Sequence, residues 1–347
     1  MWRTIGQPSA LSLLEHSLRM SNLAHAYLFV GPRHVGKTTL ALDLAQAVNC
    51  QGDKPPCGEC YSCRRIIDGK HTDVTVLDVN SARDPKDTKP RTEISIKAIW
   101  NLQRSASLPP YEGRYKVFII DGAECLSDEA ANCLLKTLEE PPSAVIVLLL
   151  TAEEVRLLPT VISRCQRVEL KPVPRTEIET LLREQRGVDG DRAKLLARLS
   201  QGGLGWALRA AIDEAYLAQW TQRLSEMFSL LNASLEERFV YAARQGNDRK
   251  SAQELIDLWL FCWRDLMLTK CGAEQAITNV DRIPTLEGWA QTLTLLQTKD
   301  FINSLQKSLR QISLNANLQL VFETLMLDMP RKEGKTGHTI PPLPVSL

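Results

Sequence analysis

Eight consecutive residues, Gly31-Pro32-Arg33-His34-Val35-Gly36-Lys37-Thr38, fit the phosphate-binding pattern G-x-x-x-x-G-K-[ST]. Gly31 and Gly36 let the loop close tightly, so that backbone N–H groups converge on phosphate oxygens. Lys37 can then reach the β and γ phosphates of ATP or ADP, while Thr38, with Thr39 beside it, faces a Mg²⁺ ion. The run Lys116 to Asp121 is an apolar stretch ending in a carboxylate placed to hold that Mg²⁺ through water. Hydrolysis also needs a group that positions or deprotonates the attacking water, and the position directly after Asp121, where such a glutamate belongs, is Gly122. Glu124 follows two residues later, where its carboxylate is expected to point elsewhere. The expectation is a phosphate cradle without its base.

A second cluster is Cys50, Cys57, Cys60 and Cys63, four thiols in one short segment containing Pro55, Pro56 and Gly58. Such density suits a closed tetrahedral Cys₄ zinc site, which stabilises a small loop and leaves no open position for catalysis. An iron–sulfur reading of Cys57, Cys60 and Cys63 fails because Ile67 stands where the next cysteine belongs and no proline follows it. His71 is near enough in sequence to be a ligand, but four cysteines already fill the site. Cys125, Cys133, Cys165, Cys262 and Cys271 are scattered and read as core residues.

The elements that must position these groups follow from hydrophobic patterning. Near-continuous apolar runs at Ala26 to Val30, Val74 to Val79, Val117 to Ile120 and Val145 to Leu150, with a weaker one at Arg167 to Leu170, predict strands of a parallel sheet covered on both faces by helices. A helix is predicted over Asp128 to Glu140, with Ser127 as N-cap, acidic residues at its positive end and Pro141-Pro142 stopping it. After Lys171-Pro172-Val173-Pro174 only helical periodicity recurs. The expected organisation is therefore an α/β domain over residues 1–172 with the cysteine module at 50–63, a small helical domain over 173–214, a larger all-helical domain over 215–330 and a mobile tail over 331–347. The polar segment Asn80 to Thr92 reads as a surface loop. With 42 Lys and Arg against 41 Asp and Glu, the net charge of +1 provides no strong overall field for nucleic acid or membrane. Lys97, Arg104 and Arg114 are candidates for DNA contact by charge alone. The first ten residues lack a signal pattern and no apolar run reaches the roughly 18 residues of a membrane span, so a cytoplasmic protein without a membrane partner is expected.

Taken together, His25-Ala-Tyr-Leu-Phe-Val-Gly31, the four-cysteine insert, Asn132-Cys-Leu-Leu-Lys-Thr-Leu-Glu-Glu-Pro-Pro142 and Ser163-Arg164-Cys165 resemble, in order and spacing, the bacterial DNA polymerase III clamp-loader AAA+ family. The match covers at least the first 210 residues, and Asn315-Ala-Asn-Leu-Gln-Leu-Val-Phe-Glu323 is similar to the family's C-terminal helix. The resemblance implies an AAA+ nucleotide-binding domain with its zinc module, a helical lid and a helical collar. It also implies a hetero-pentamer that opens a sliding clamp with ATP and places it on primed DNA. In that family the Ser-Arg-Cys arginine, here Arg164, acts in trans as a finger on the next subunit's nucleotide, and Thr151 is similar in place to a sensor residue. Motor subunits of the family carry Asp-Glu where this chain has Asp121-Gly122, and a sensor arginine where it has Gly205. These departures resemble the delta-prime branch, which implies little or no ATPase of its own. The alternatives are a motor-type, gamma/tau-like ATPase and a zinc-stabilised AAA+ scaffold in another DNA-repair assembly.

Overall fold

The computed structural model describes residues 2–79, 81, 93–245 and 248–331. The expected surface loop at 80–92, apart from Ser81, and the tail from residue 332 lie outside them. The chain divides after Glu214 into two units.

The first unit is built on five parallel strands, β1 (Ala26–Val30), β2 (Val74–Leu77), β3 (Lys116–Asp121), β4 (Val145–Thr151) and β5 (Gln166–Glu169), in the order β2-β3-β4-β1-β5. The inner strands read as unbroken apolar runs because each buries both faces. Alternate side chains enter separate cores. Tyr27, Phe29, Val117, Ile119 and Leu148 pack on one side with residues of α1 (Pro8–Arg19) and α2 (Lys37–Asn49). Leu28, Phe118, Ile120, Val147 and Leu149 pack on the other with α4 (Ile96–Ala106) and α5 (Asp128–Glu139). Short helix α3 (Tyr61–Ile67) follows the cysteine segment, and one-turn helix α6 (Pro159–Ile162) precedes β5.

Ser127 caps α5 as its sequence suggests, accepting a hydrogen bond from the Ala130 N–H at 3.2 Å. Three further helices complete the unit: α7 (Arg175–Arg186), α8 (Gly190–Leu199) and α9 (Leu204–Ile212).

The second unit is helical, as its periodicity predicts: α10 (Glu214–Leu230), whose first residue belongs to unit one, α11 (Leu235–Arg244), α12 (Arg249–Lys270), α13 (Ile283–Thr292), α14 (Leu295–Ser313) and α15 (Leu318–Asp328). Its core gathers Trp259, Trp263, Phe301 and Phe322. Arg238 is wholly buried there and donates to the carbonyls of Leu230, Leu231, Met326, Met329 and Pro330, at the C-terminal ends of α10 and α15. These carbonyls carry the negative ends of two helix dipoles, which offsets the burial of the cation. No helix among the described residues is long and apolar enough to cross a membrane.

Candidate functional site

Parallel register brings the loop residues to one edge of the sheet. Val30 pairs with Thr151 and Asp121 with Leu150, so the C-terminal ends of β1, β3 and β4 meet, which is where open α/β sheets bind ligands. The N–H of Gly31 donates to the Thr151 carbonyl at 3.2 Å and that of Gly122 to the Leu150 carbonyl at 3.1 Å. Gly36, at the N-cap of α2, has a φ of 105°, and the helix starts at Lys37 with its N-terminal amides toward the loop. Thr38 Oγ1 donates to Asp121 Oδ2 at 3.0 Å, which joins the two halves that the sequence places 83 residues apart. Lys37 Nζ donates to the carbonyls of Gly31 at 2.7 Å and Pro32 at 2.8 Å. Burial pulls its pKa down to about 8, against the raising influence of Glu124 and Asp121. Thr39 is half-buried in the first turn of α2. Thr151 is buried, and its hydroxyl accepts from the Glu153 N–H at 3.0 Å.

Two features could not be read from the sequence. Glu124 folds back onto the end of β4. Gly122 takes a left-handed φ of 80°, and the 3₁₀ turn Ala123–Cys125 then folds the chain back, so that Glu124 Oε1 accepts from the Ala152 N–H at 3.4 Å. Its other carboxylate oxygen is buried without a hydrogen-bond partner, and of the carboxylates Glu124 has the larger influence on Lys37. A non-glycine residue at 122 would resist the left-handed turn that makes this possible. The second feature is Gly205. Its N–H donates to the carbonyl of His34 in the phosphate loop at 2.8 Å, and an added Cβ would lie 3.2 Å from that oxygen. The start of α9 thus rests directly on the loop, through backbone.

Arg164 lies just beyond α6 on a fixed footing: Val161 is buried in the core beneath α5, and Cys165, also packed against it, has its thiol pKa pushed up to about 12 by burial. Its side chain is 35% exposed. One Nη donates to the Thr160 carbonyl at 2.9 Å and the other meets Glu139 Oε1 at 2.6 Å. None of these partners belongs to the phosphate loop, so the structure keeps Arg164 apart from Lys37, Thr38 and Asp121.

The Sγ atoms of Cys50, Cys57, Cys60 and Cys63 all lie within 4.8 Å of one another, and those of Cys57 and Cys63 are 3.9 Å apart. A tetrahedron of bonds of about 2.3 Å to a zinc ion would place its sulfurs about 3.8 Å apart, so the donor set fits a four-coordinate metal ion. Backbone N–H groups of Gly52 and Cys57 point at Cys50 Sγ, that of Cys60 at Cys57 Sγ and that of Cys63 at Cys60 Sγ, at 3.3–3.4 Å. Such donors stabilise thiolate, and they draw the Cys57 thiol down to about 6, whereas burial pushes Cys63 up. His71 is not in the cluster. Its Nε2 pairs with Ser62 Oγ at 2.9 Å, and its Nδ1 accepts from the Asp73 N–H at 3.1 Å.

A family profile described as "DNA polymerase III, delta subunit" matches residues 6–174. The chain is 30% identical over 328 residues to the DNA polymerase III subunit delta' of Bacillus subtilis, covering 92% of this chain and 95% of that one. It is 30% identical over 347 residues to DNA polymerase III subunit tau of Escherichia coli, covering 95% of this chain and 50% of that one, so the chain spans half of that relative's length. Among solved structures, a gamma subunit-related protein of Thermotoga maritima covers 90% of this chain and 97% of its own, with a TM-score of 0.44 and 20% identity.

Proposed function

The chain belongs to the bacterial DNA polymerase III clamp-loader family of AAA+ proteins, and from that premise we propose that it is a delta-prime-type subunit, a partner in hydrolysis more than an agent of it. In this reading it joins other loader subunits in a hetero-pentamer that places the sliding clamp on primed DNA. Arg164 faces the ATP of the neighbouring subunit and offsets charge developing on its γ phosphate, an effect worth about 10³- to 10⁵-fold in other phosphoryl-transfer systems. The chain's own loop holds ATP or ADP with Mg²⁺ for stability. Cys50, Cys57, Cys60 and Cys63 hold a structural zinc ion, which would supply folding energy to the segment between α2 and α3.

The observation that carries this reading is the pairing of an outward, part-exposed Arg164 with Gly122 directly after Asp121. The cation for another site is available, while the glutamate for the chain's own site is replaced. Gly205, seated on His34, supports it further, since no side chain at that position reaches toward phosphate. The test is turnover by the isolated chain. It should bind ATP in the presence of Mg²⁺, with binding much weakened in Lys37→Ala, and hydrolyse it no faster than that variant does. Lys37-dependent turnover would count against the proposal.

One observation favours a second reading, a motor-type ATPase of its own. Glu124 brings a partnerless carboxylate oxygen into the neighbourhood of Lys37. If Glu124 serves as the base, the isolated chain should turn over ATP and Glu124→Gln should abolish that turnover while leaving ATP binding intact.

A further inference from the structure

Glu139 breaks a local rule. It is the last residue of α5, followed by Glu140 at the C-cap, so two carboxylates sit at the negative end of a helix dipole. An acidic residue there is unfavourable unless something compensates, and local rules are most often broken where function requires it. The compensation is the guanidinium of Arg164, 2.6 Å from Glu139 Oε1. We propose that Glu139 is the positioning residue for Arg164, holding one edge of the guanidinium so that the rest is presented to an anionic group outside this chain. The inference rests on the reading of Arg164 as a finger acting on a neighbouring nucleotide.

Both ends of the pair stand on one rigid base. Leu138, beside Glu139, and Val161, before Arg164, are buried in the same core, and α5 packs against α6. The grip uses two nitrogens: the Glu139 carboxylate holds one Nη, while the other donates to the Thr160 carbonyl and, at 3.4 Å, to Ser163 Oγ. Nε makes none of these bonds. A free arginine side chain carries considerable rotamer entropy, so fixing it beforehand lowers what must be lost when it meets a phosphate in the transition state. As an ion pair at a part-exposed surface, the contact contributes little to stability by itself. Its consequence is expected in rate.

The test uses the loader reconstituted with its full set of subunits, comparing wild type, Glu139→Gln, Glu139→Asp, Arg164→Ala and the double variant Glu139→Gln/Arg164→Ala, with MgATP as the probe. Glu139→Gln should lower kcat by roughly fivefold, less than Arg164→Ala does, with KM for ATP unchanged, because a contact realised only in the transition state alters kcat. Glu139→Asp should recover part of the loss. In the Arg164→Ala background, Glu139→Gln should cost nothing more, as expected of two residues acting through one contact. Wild-type kcat in Glu139→Gln, beside a depressed Arg164→Ala, would overturn the positioning role and leave the finger reading standing. An equal loss on adding Glu139→Gln to either background would overturn it too, since Glu139 would then act by another route. Wild-type kcat in Arg164→Ala would instead bring down the finger reading, and this inference with it. Thermal unfolding of the Glu139→Gln subunit, expected to match wild type, separates these results from loss of fold.

Discussion

Lys37 and Arg164 are cations on the same α/β unit, but Lys37 is turned inward onto the carbonyls of Gly31 and Pro32, whereas Arg164 stands at the surface, held along one edge by Glu139 and Thr160. The inward cation belongs to a closed set: Thr38 is tied to Asp121, the loop to Thr151, and α9 to the loop through Gly205. The outward one is paired only along that edge and is 35% exposed, which is what the proposed role toward a neighbouring subunit requires. The contrast teaches that one α/β unit can set one cation inward on loop carbonyls and another at the surface, the division that the proposed separation of nucleotide binding from hydrolysis requires.

On the cradle side the largest expected effect is on nucleotide binding. Lys37→Ala should weaken binding of ATP to the isolated chain by on the order of 100-fold, because a half-buried ammonium facing phosphate is lost, as titration calorimetry can measure. If affinity hardly changed, the inward cation would not be a phosphate ligand, and the comparison would lose one of its halves.

Metal removal should come next. Cys50 is the C-cap of α2, the helix that carries Lys37 and Thr38 at its other end, so the cysteine module anchors the cradle side of the comparison. Cys57→Ser should release one equivalent of metal, seen by elemental analysis, and lower the melting temperature of the purified chain by several degrees, consistent with a loss of about 2 kcal/mol or more. An unchanged melting profile together with absence of metal from the wild-type protein would remove the structural role.

A smaller effect concerns pH. Phosphate favours the ammonium form of Lys37, whose pKa before binding is about 8. Affinity for ATP should therefore be flat below that value and fall as pH rises above it, by up to about tenfold per pH unit. Rates that depend on Arg164, and not on Lys37, should not share this inflection. A decline beginning only near the ordinary lysine range would show that Lys37 is not depressed.

The smallest effect is expected at the cap of α5, the helix that carries Glu139. Ser127→Ala should destabilise the chain by about 1 kcal/mol in denaturant unfolding, while ATP binding by the cradle stays as it was. A change in ATP affinity would mean that the two regions are coupled through α5.

Much of the cradle was legible because its signals are local. Two glycines, Lys37 and Thr38 between an apolar run and a helix, an apolar strand ending in Asp121, and four close cysteines are each written within a few residues. Strands β1, β3 and β4 were legible for the same reason, since burial on both faces leaves an unbroken apolar run. The edge strands were weaker: β2 stops at Leu77, short of Val79, and β5 begins at Gln166 and ends at Glu169, with only Val168 buried. What could not be read depends on chain direction or on tertiary contact. Glu124 seemed misplaced because its position was counted along an extended chain, whereas the left-handed turn at Gly122 reverses it. The signal was the glycine itself. The Gly205 contact with His34 and the Glu139 pairing with Arg164 join distant segments, and only the acidic end of α5 hinted at the second.

The central claim, that this chain acts on a nucleotide it does not hold, is tested most directly by the steady-state ATPase of the reconstituted loader carrying Arg164→Ala, with the isolated subunit's melting temperature as control. The account predicts a subunit that melts like wild type and an assembly whose turnover at the neighbouring site falls by about 10³-fold or more. Turnover equal to that of the wild-type assembly would contradict it.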